Sequence, residues 1–338
     1  MQSLHRRRHW RGVLVVIVGV LLLLVGGMMV IRMPGHSYSG PLPPLTAQEH
    51  EVRQRLVTHV WTLADTIGER NLWQYQGLEA AARYVEVTLR DGGYAVTSQT
   101  FDVGGKSVRN LATEIVGARR PADMLVIGAH YDSVQGCPGA NDNASGVAAV
   151  LEIARLLAGQ RFERTVRFVA FVNEEPPFFQ TAHMGSLVYA RAAHASAERI
   201  VGMLSLETLG YYTDAEDSQQ YPFPFGLFYP RVGNFIGFVG NLASRRLVHR
   251  SLGSFRRHTL FPSEGTAAPG WLTGIGWSDH WAFWQQGYAA IMVTDTALFR
   301  YAPYHTAADT PEQLDYERMA RVVTGLARVV RELARPMS

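Results

Sequence analysis

Short apolar, β-branched runs alternate along this chain with segments of helical period, and that alternation leaves few folds open. Residues 124–129 and 165–172 lack the polar alternation of a half-exposed strand, so they read as strands buried on both faces. Residues 200–206 and 289–293 are of the same kind. Between them, residues 145–158 place Val147, Val150, Leu151, Ala154 and Leu157 at helical spacing, and residues 184–195 suit a helix. Further helices are expected over 46–63, 76–89, 235–248 and 311–334, the second of them stopped by Asp91-Gly92-Gly93. Strands are expected over 94–101 and 108–116. The pattern predicts an α/β fold: a mixed, mostly parallel central sheet with helices on both faces. Two stretches, 211–231 and 252–277, match no element and are rich in aromatics, Pro and Gly, so they are expected to wall a cleft.

In sheets of this kind ligands gather beyond the carboxyl ends of the strands. His130, the pair Glu174-Glu175, and Glu207 each follow an apolar run at that end. His130 and Asp132 are two apart on an extended segment and can point the same way, with Asp132 accepting from the ring nitrogen that binds no metal. Asp142, in Asn141-Asp142-Asn143, comes just before a helix, where its carboxylate could bridge two ions. With His305 in Tyr304-His305-Thr306, the chain offers two imidazoles and three acids for a pair of zinc ions, plus one spare glutamate as a base. Three carboxylates and one hydroxide would balance two such ions.

Residues 13–31 form an unbroken apolar stretch, and roughly 20 such residues span a bilayer as a helix. The preceding Arg6, Arg7, Arg8 and Arg11 should stay inside, so residues 1–12 are expected in the cytoplasm and the rest of the chain outside, periplasmic or extracellular. A cleaved signal peptide is the rival, but the stretch runs into Met28-Met29-Val30-Ile31 without an Ala-x-Ala site. No later segment is long and apolar enough, so a single crossing of the cytoplasmic membrane is expected. Residues 32–46 carry four prolines and read as a linker, with residues 47–338 as the folded domain. The formal charge of +3 owes much to the N-terminal arginines and gives no argument for nucleic-acid binding. Cys137 is the sole cysteine, which precludes an intrachain disulfide.

Taken in order, His130-x-Asp132, Asn141-Asp142-Asn143-x-Ser-Gly, Glu174-Glu175, Glu207 and His305 resemble the motifs of the co-catalytic dinuclear zinc aminopeptidases, the clan MH metallopeptidases. Glutamate carboxypeptidases and glutaminyl cyclases are relatives in that clan. The resemblance covers about residues 75–330. It implies that Asp142 bridges two Zn2+ ions, with His130 and Glu207 completing one site and Glu175 and His305 the other. It further implies Glu174 as general base and acid, Asp132 and Asp279 as supporting residues, and a cis Asp142–Asn143 bond. The implied activity is removal of N-terminal residues from peptides with a free α-amine, by a metal-activated water whose proton Glu174 takes and passes to the leaving amine.

Three departures stand out. Glu207 occupies a position where many relatives carry the shorter Asp, so the second metal site is expected to be the weaker. Pro176-Pro177-Phe178-Phe179 replaces a more usual glycine-rich turn, giving a stiffer, more aromatic wall. Ser278-Asp279-His280 keeps the family's pattern, with Asp279 rather than His280 expected at the site. Other functions stay open: a glutaminyl cyclase, a carboxypeptidase with Arg300 as carboxylate clamp, or an inactive receptor-like ectodomain. Cys137 has no partner cysteine and is not expected to bind zinc. A glycan on the Asn143-Ala-Ser145 sequon would block the site, so that match is read as chance.

Overall fold

A computed structural model describes residue 27 and residues 31–335, which fold around one eight-stranded sheet. The expected basic N-terminus, and all of the expected membrane helix but Gly27 and Ile31, lie outside the described residues. Among the described residues no helix is long and apolar enough to cross a membrane.

The chain reaches its first helix along the proline-rich segment, which lies against the domain. Arg256 donates to the carbonyls of Pro34 (2.9 Å) and Gly35 (3.2 Å), and Ser37 accepts from the backbone of Ser263. Helix α1 (Ala47–Trp61) starts at a capping box: the Thr46 hydroxyl accepts from the Glu49 amide while the Glu49 carboxylate accepts from the Thr46 amide. Helix α2 (Tyr75–Asp91) leads to the antiparallel pair β1 (Thr97–Val103) and β2 (Lys106–Ile115). The central pattern follows: β3 (Arg120–His130), α3 (Gly146–Leu157), β4 (Arg164–Phe171), α4 (Gly185–Ala195) and β5 (Arg199–Glu207). Then come β6 (Ile236–Gly240), α5 (Arg245–His258), β7 (Ser263–Ala267), α6 (His280–Trp284), β8 (Ala290–Thr294) and α7 (Tyr316–Leu333).

The sheet order is β1-β2-β4-β3-β5-β8-β6-β7. Its centre, β4-β3-β5-β8, is parallel, whereas β2 and β6 join it antiparallel. Both faces of the centre are covered, which is why its strands are apolar throughout. Leu125, Ile127 and Ala129 of β3 pack in the core formed with α1, α3 and α7, while Met124 and Val126 pack with Met184, Leu187 and Phe283 from the α4 and α6 side.

Two expectations for the second half of the chain are corrected. Residues 235–248 were expected as one helix, but the apolar run Ile236–Gly240 is a strand and the helix begins at Arg245. A short apolar run fits either period, and its length, its β-branched and aromatic residues (Ile236, Phe238, Val239) and the flanking Gly240 favour the strand. Residues 252–277, expected as loop, contain the second half of α5 and the edge strand β7, whose sequence Ser-Glu-Gly-Thr-Ala carries no apolar alternation to announce it.

Candidate metal centre

Adjacent parallel strands end side by side, so the residues after β4, β3 and β5 meet at one edge of the sheet. His130 is the last residue of β3 and pairs with Phe171 of β4, three residues before Glu174. Glu207 is the last residue of β5. Asp142 lies in the turn that opens α3, and His305 in the loop between β8 and α7. Local folding makes that turn possible. Gly139 adopts φ +64, and Gly146 brings α3 so near β5 that a Cβ there would meet the Leu206 carbonyl and the Asn143 amide at 2.3 Å.

The Asp142 carboxylate faces two ways. Its Oδ1 lies 3.2 Å from His130 Nε2 and its Oδ2 lies 3.0 Å from His305 Nε2. Glu207 Oε2 is 3.3 Å from His130 Nε2, and Glu175 Oε2 is 3.3 Å from His305 Nε2. Two triads result, His130–Asp142–Glu207 and Asp142–Glu175–His305, each with its donor atoms within 4.8 Å of one another. Glu174 is buried beside the first triad, its Oε2 at 3.8 Å from His130 Nε2. The Asp142–Asn143 peptide bond is cis.

Whether these side chains suit a metal is tested by the contacts they fail to make. Among the described residues, His130 Nε2, Asp142 Oδ1 and Glu175 Oε1 are buried without a hydrogen-bond partner, although they face one another. Burial would raise the Asp142 pKa, but the neighbouring His130 and His305 imidazoles outweigh it and hold the carboxyl below the usual range. Burial, then the nearby Asp142 carboxylate, pushes Glu175 up to about 8 and Glu207 to about 7. Glu174 is also pushed well up, by burial, then by Glu207 and Glu175 against the opposing pull of His130. Burial works against a charged His305, yet its bonds to Asp142 and Glu175 raise it to about 10. A crowd of buried carboxylates around two imidazoles, with nitrogen and oxygen donors converging, is the donor chemistry of a divalent-cation site. The residues fit a zinc pair.

The surrounding shell differs in part from the sequence reading. Asp132 was expected to hold the His130 ring with its carboxylate. Instead, its Oδ1 and Oδ2 accept the backbone amides of Glu174 and Glu175, both at 3.1 Å, while Nδ1 of His130 lies 3.2 Å from the Asp132 carbonyl and 3.5 Å from its carboxylate. Asp132 therefore positions the turn that carries the two glutamates as well as the ring. Asp279 is fully buried beneath the site, and neither carboxylate oxygen has a hydrogen-bond partner among the described residues. Its neighbour Ser278, not singled out from sequence, makes the direct contact, donating to Glu207 Oε2 at 2.7 Å. His280 faces away and hydrogen-bonds the Ile275 carbonyl.

Two further residues escaped the sequence reading. Asp309 accepts the amides of Asn141 (2.8 Å) and Asp142 (3.1 Å) and the Tyr301 hydroxyl. Arg70 is fully buried and donates to the carbonyls of Tyr131, Pro138 and Gly139, tying down both ends of the loop between His130 and Asp142. Only an aspartate or arginine out of place in an apolar context would have signalled them, and neither stands in one. Cys137 is buried against Asp309 and belongs to neither triad. Asn143 and Ser145 of the sequon are fully buried. Arg300 is buried with its guanidinium on Gln219 and the carbonyls of Gly233 and Phe235, so its arm is committed to holding loops.

Beside the triads opens a cavity of about 120 Å³. Glu207, Thr208 and Tyr304 form its inner end, and Tyr221, Phe225, Phe299 and Trp277 its walls. Both loop stretches expected to wall a cleft contribute to it. Phe178, from the Pro-Pro-Phe-Phe turn, stacks instead on Trp73 at 6.0 Å.

Comparison with known proteins agrees with this geometry. Residues 110–330 match the model of peptidase family M28. The uncharacterized protein YfbL of Escherichia coli is 38% identical over 287 residues, which cover 82% of this chain and 87% of that protein. The structure of BSAP, a zinc aminopeptidase from Bacillus subtilis, superimposes with a TM-score of 0.68 at 15% identity, covering 83% of this chain and 95% of that one. A glutaminyl cyclase from Fimbriiglobus ruber has the same fold, with a TM-score of 0.61 at 20% identity over 87% and 97% of the two chains. Two carboxylate–imidazole triads sharing Asp142 at the strand ends thus lie within the matched segment, and the chain belongs to peptidase family M28, as a zinc-dependent metallopeptidase.

Proposed function

We propose that the chain is an aminopeptidase that removes N-terminal residues from peptides, held to the cytoplasmic membrane by residues 13–31 with its catalytic domain outside. The observation that carries the first part is the shared Asp142: one carboxylate serves two triads, with the free glutamate Glu174 beside them. His130, Asp142 and Glu207 would hold one ion and Asp142, Glu175 and His305 the other. A bound zinc pair supplies Lewis acidity, polarising a carbonyl and bringing a water's pKa towards 7.

The chain's own residues do the rest. Glu174 is buried and desolvated, so a proton taken from the attacking water stays on its carboxylate until the leaving amine collects it. Asp132 fixes the Glu174 and Glu175 amides, which keeps the base beside the ligands and out of their coordination. The cavity beyond Glu207 and Tyr304 receives the substrate's first side chain, and its aromatic walls favour an apolar or aromatic one. The membrane part rests on the sequence: an apolar stretch of spanning length preceded by an arginine cluster.

The test is hydrolysis of matched peptides, one with a free and one with an acetylated N-terminus, by the zinc-loaded protein. Release of single residues from the free-amine peptide alone is expected. Equal cleavage of both would exclude an aminopeptidase, and conversion of an N-terminal glutamine to pyroglutamate in place of hydrolysis would replace it with the cyclase.

A further inference from the structure

Helix α5 carries a stripe that its packing does not explain. Arg246, Arg250, Gly253 and Arg257 are spaced four, three and four apart and share one face. Five arginines and His249 line an open groove there, with Glu332 its one acidic member among the described residues. Arg257, His258 and Ser254 already engage Glu332. Arg246 and Arg250 make no ion pair within 4.0 Å with any described residue, and burial together with Arg164 and Arg246 lowers the Arg250 pKa against the weaker attraction of Glu332. Arg245 and Arg246 also sit in the first turn of the helix, where the helix dipole disfavours positive charge. A surface that concentrates one sign of charge against its own helix is built for an anionic partner.

The position of the groove selects that partner. Pro34 lines it, packing at Gly253. Pro34 is three residues past Ile31, where the apolar stretch ends. Three extended residues reach at most about 11 Å, little more than the screening length of ~8 Å at physiological salt. If residues 13–31 span the bilayer, the groove cannot leave the headgroup layer. Leu242, exposed at its rim, adds an apolar contact of the kind an interface accepts.

We propose that the α5 groove docks on anionic phospholipid headgroups and fixes the domain's orientation on the membrane. This rests on reading residues 13–31 as an anchor, and the experiment separates the two. The full chain is reconstituted into nanodiscs of phosphatidylcholine alone or with phosphatidylglycerol, carrying a fluorophore on Ala243→Cys, since the native Cys137 is buried. Co-elution with both discs reports the anchor; quenching of the fluorophore by headgroup-spin-labelled lipid reports the groove. Quenching is expected in the anionic discs, with docking weakened by at least about 25-fold in Arg246→Glu/Arg250→Glu, since each basic residue near such a surface accounts for about fivefold. Unchanged peptidase activity of that variant, and the milder Arg246→Gln/Arg250→Gln, guard against misfolding. Co-elution with equal quenching in both discs, or with none, overturns the docking while leaving the anchor. Co-elution with anionic discs alone, with quenching, removes the anchor and keeps the groove.

Discussion

Asp142 is asked to do two things at once, and its neighbours show how a single residue is held to both. Each oxygen faces a different imidazole, so a small rotation of the carboxylate would favour one triad at the expense of the other. The rotation is resisted from the backbone, through Asp309 on the Asn141 and Asp142 amides. Glu207 is restrained in the same spirit by the Ser278 hydroxyl. These roles separate in variants. Glu174→Gln removes a proton carrier and no metal donor, so turnover should drop by about 10²–10⁴-fold with bound zinc unchanged. Ser278→Ala leaves the base alone and frees Glu207, so zinc affinity should weaken by about 10–100-fold, with activity restored at high zinc. Metal titration alongside kcat distinguishes them; a Glu174→Gln enzyme that keeps its rate would remove Glu174 from the mechanism.

At the scale of elements, the part of the site carried by parallel strands was legible in the sequence, and the part carried by long-range contacts was not. His130, Glu174, Glu175 and Glu207 each end or follow an apolar strand, and a parallel sheet must bring such ends together. Asp309 acts on a backbone segment more than 160 positions away, and Arg70 on carbonyls more than 60 away, relations that no local spacing encodes. The strand at Ile236–Gly240 and the edge strand β7 were missed because a five-residue apolar run and a polar edge carry no distinctive period. The α3–β5 contact at Gly146 gives this scale its prediction. A methyl there would meet the Leu206 carbonyl and the Asn143 side chain, which have no room to retreat because Asn143 also bonds Leu206 and the Thr208 amide. Gly146→Ala should therefore cost about 1–3 kcal/mol despite alanine's better helix propensity. Denaturant midpoints measure it; a variant as stable as the parent would mean that α3 can shift away from β5.

For the whole molecule, the site is a concentration of charge that the fold tolerates only with help. Without metal, Glu175 and Glu207 hold protons up to about pH 8 and 7, and His305 up to about 10. All three bind protons more tightly folded than unfolded, where carboxyls release them near 4.5 and imidazole near 6.5. Their contribution is therefore present in full below those unfolded values and is lost as pH rises through the folded ones. The metal-free protein should lose thermal stability progressively from about pH 4.5 to about pH 10. Zinc replaces the protons, so its binding strengthens over the same range and the loaded protein should hold its Tm. With both sites at about 100 times Kd, binding would add roughly 5 kcal/mol, or on the order of 10 °C in a chain of this size. Calorimetry after chelation and after zinc return, at each pH, reads both effects together. A chelated protein whose Tm rises with pH, or a zinc shift that shrinks with pH, would mean that these carboxylates and imidazoles are not the groups that the ions displace protons from.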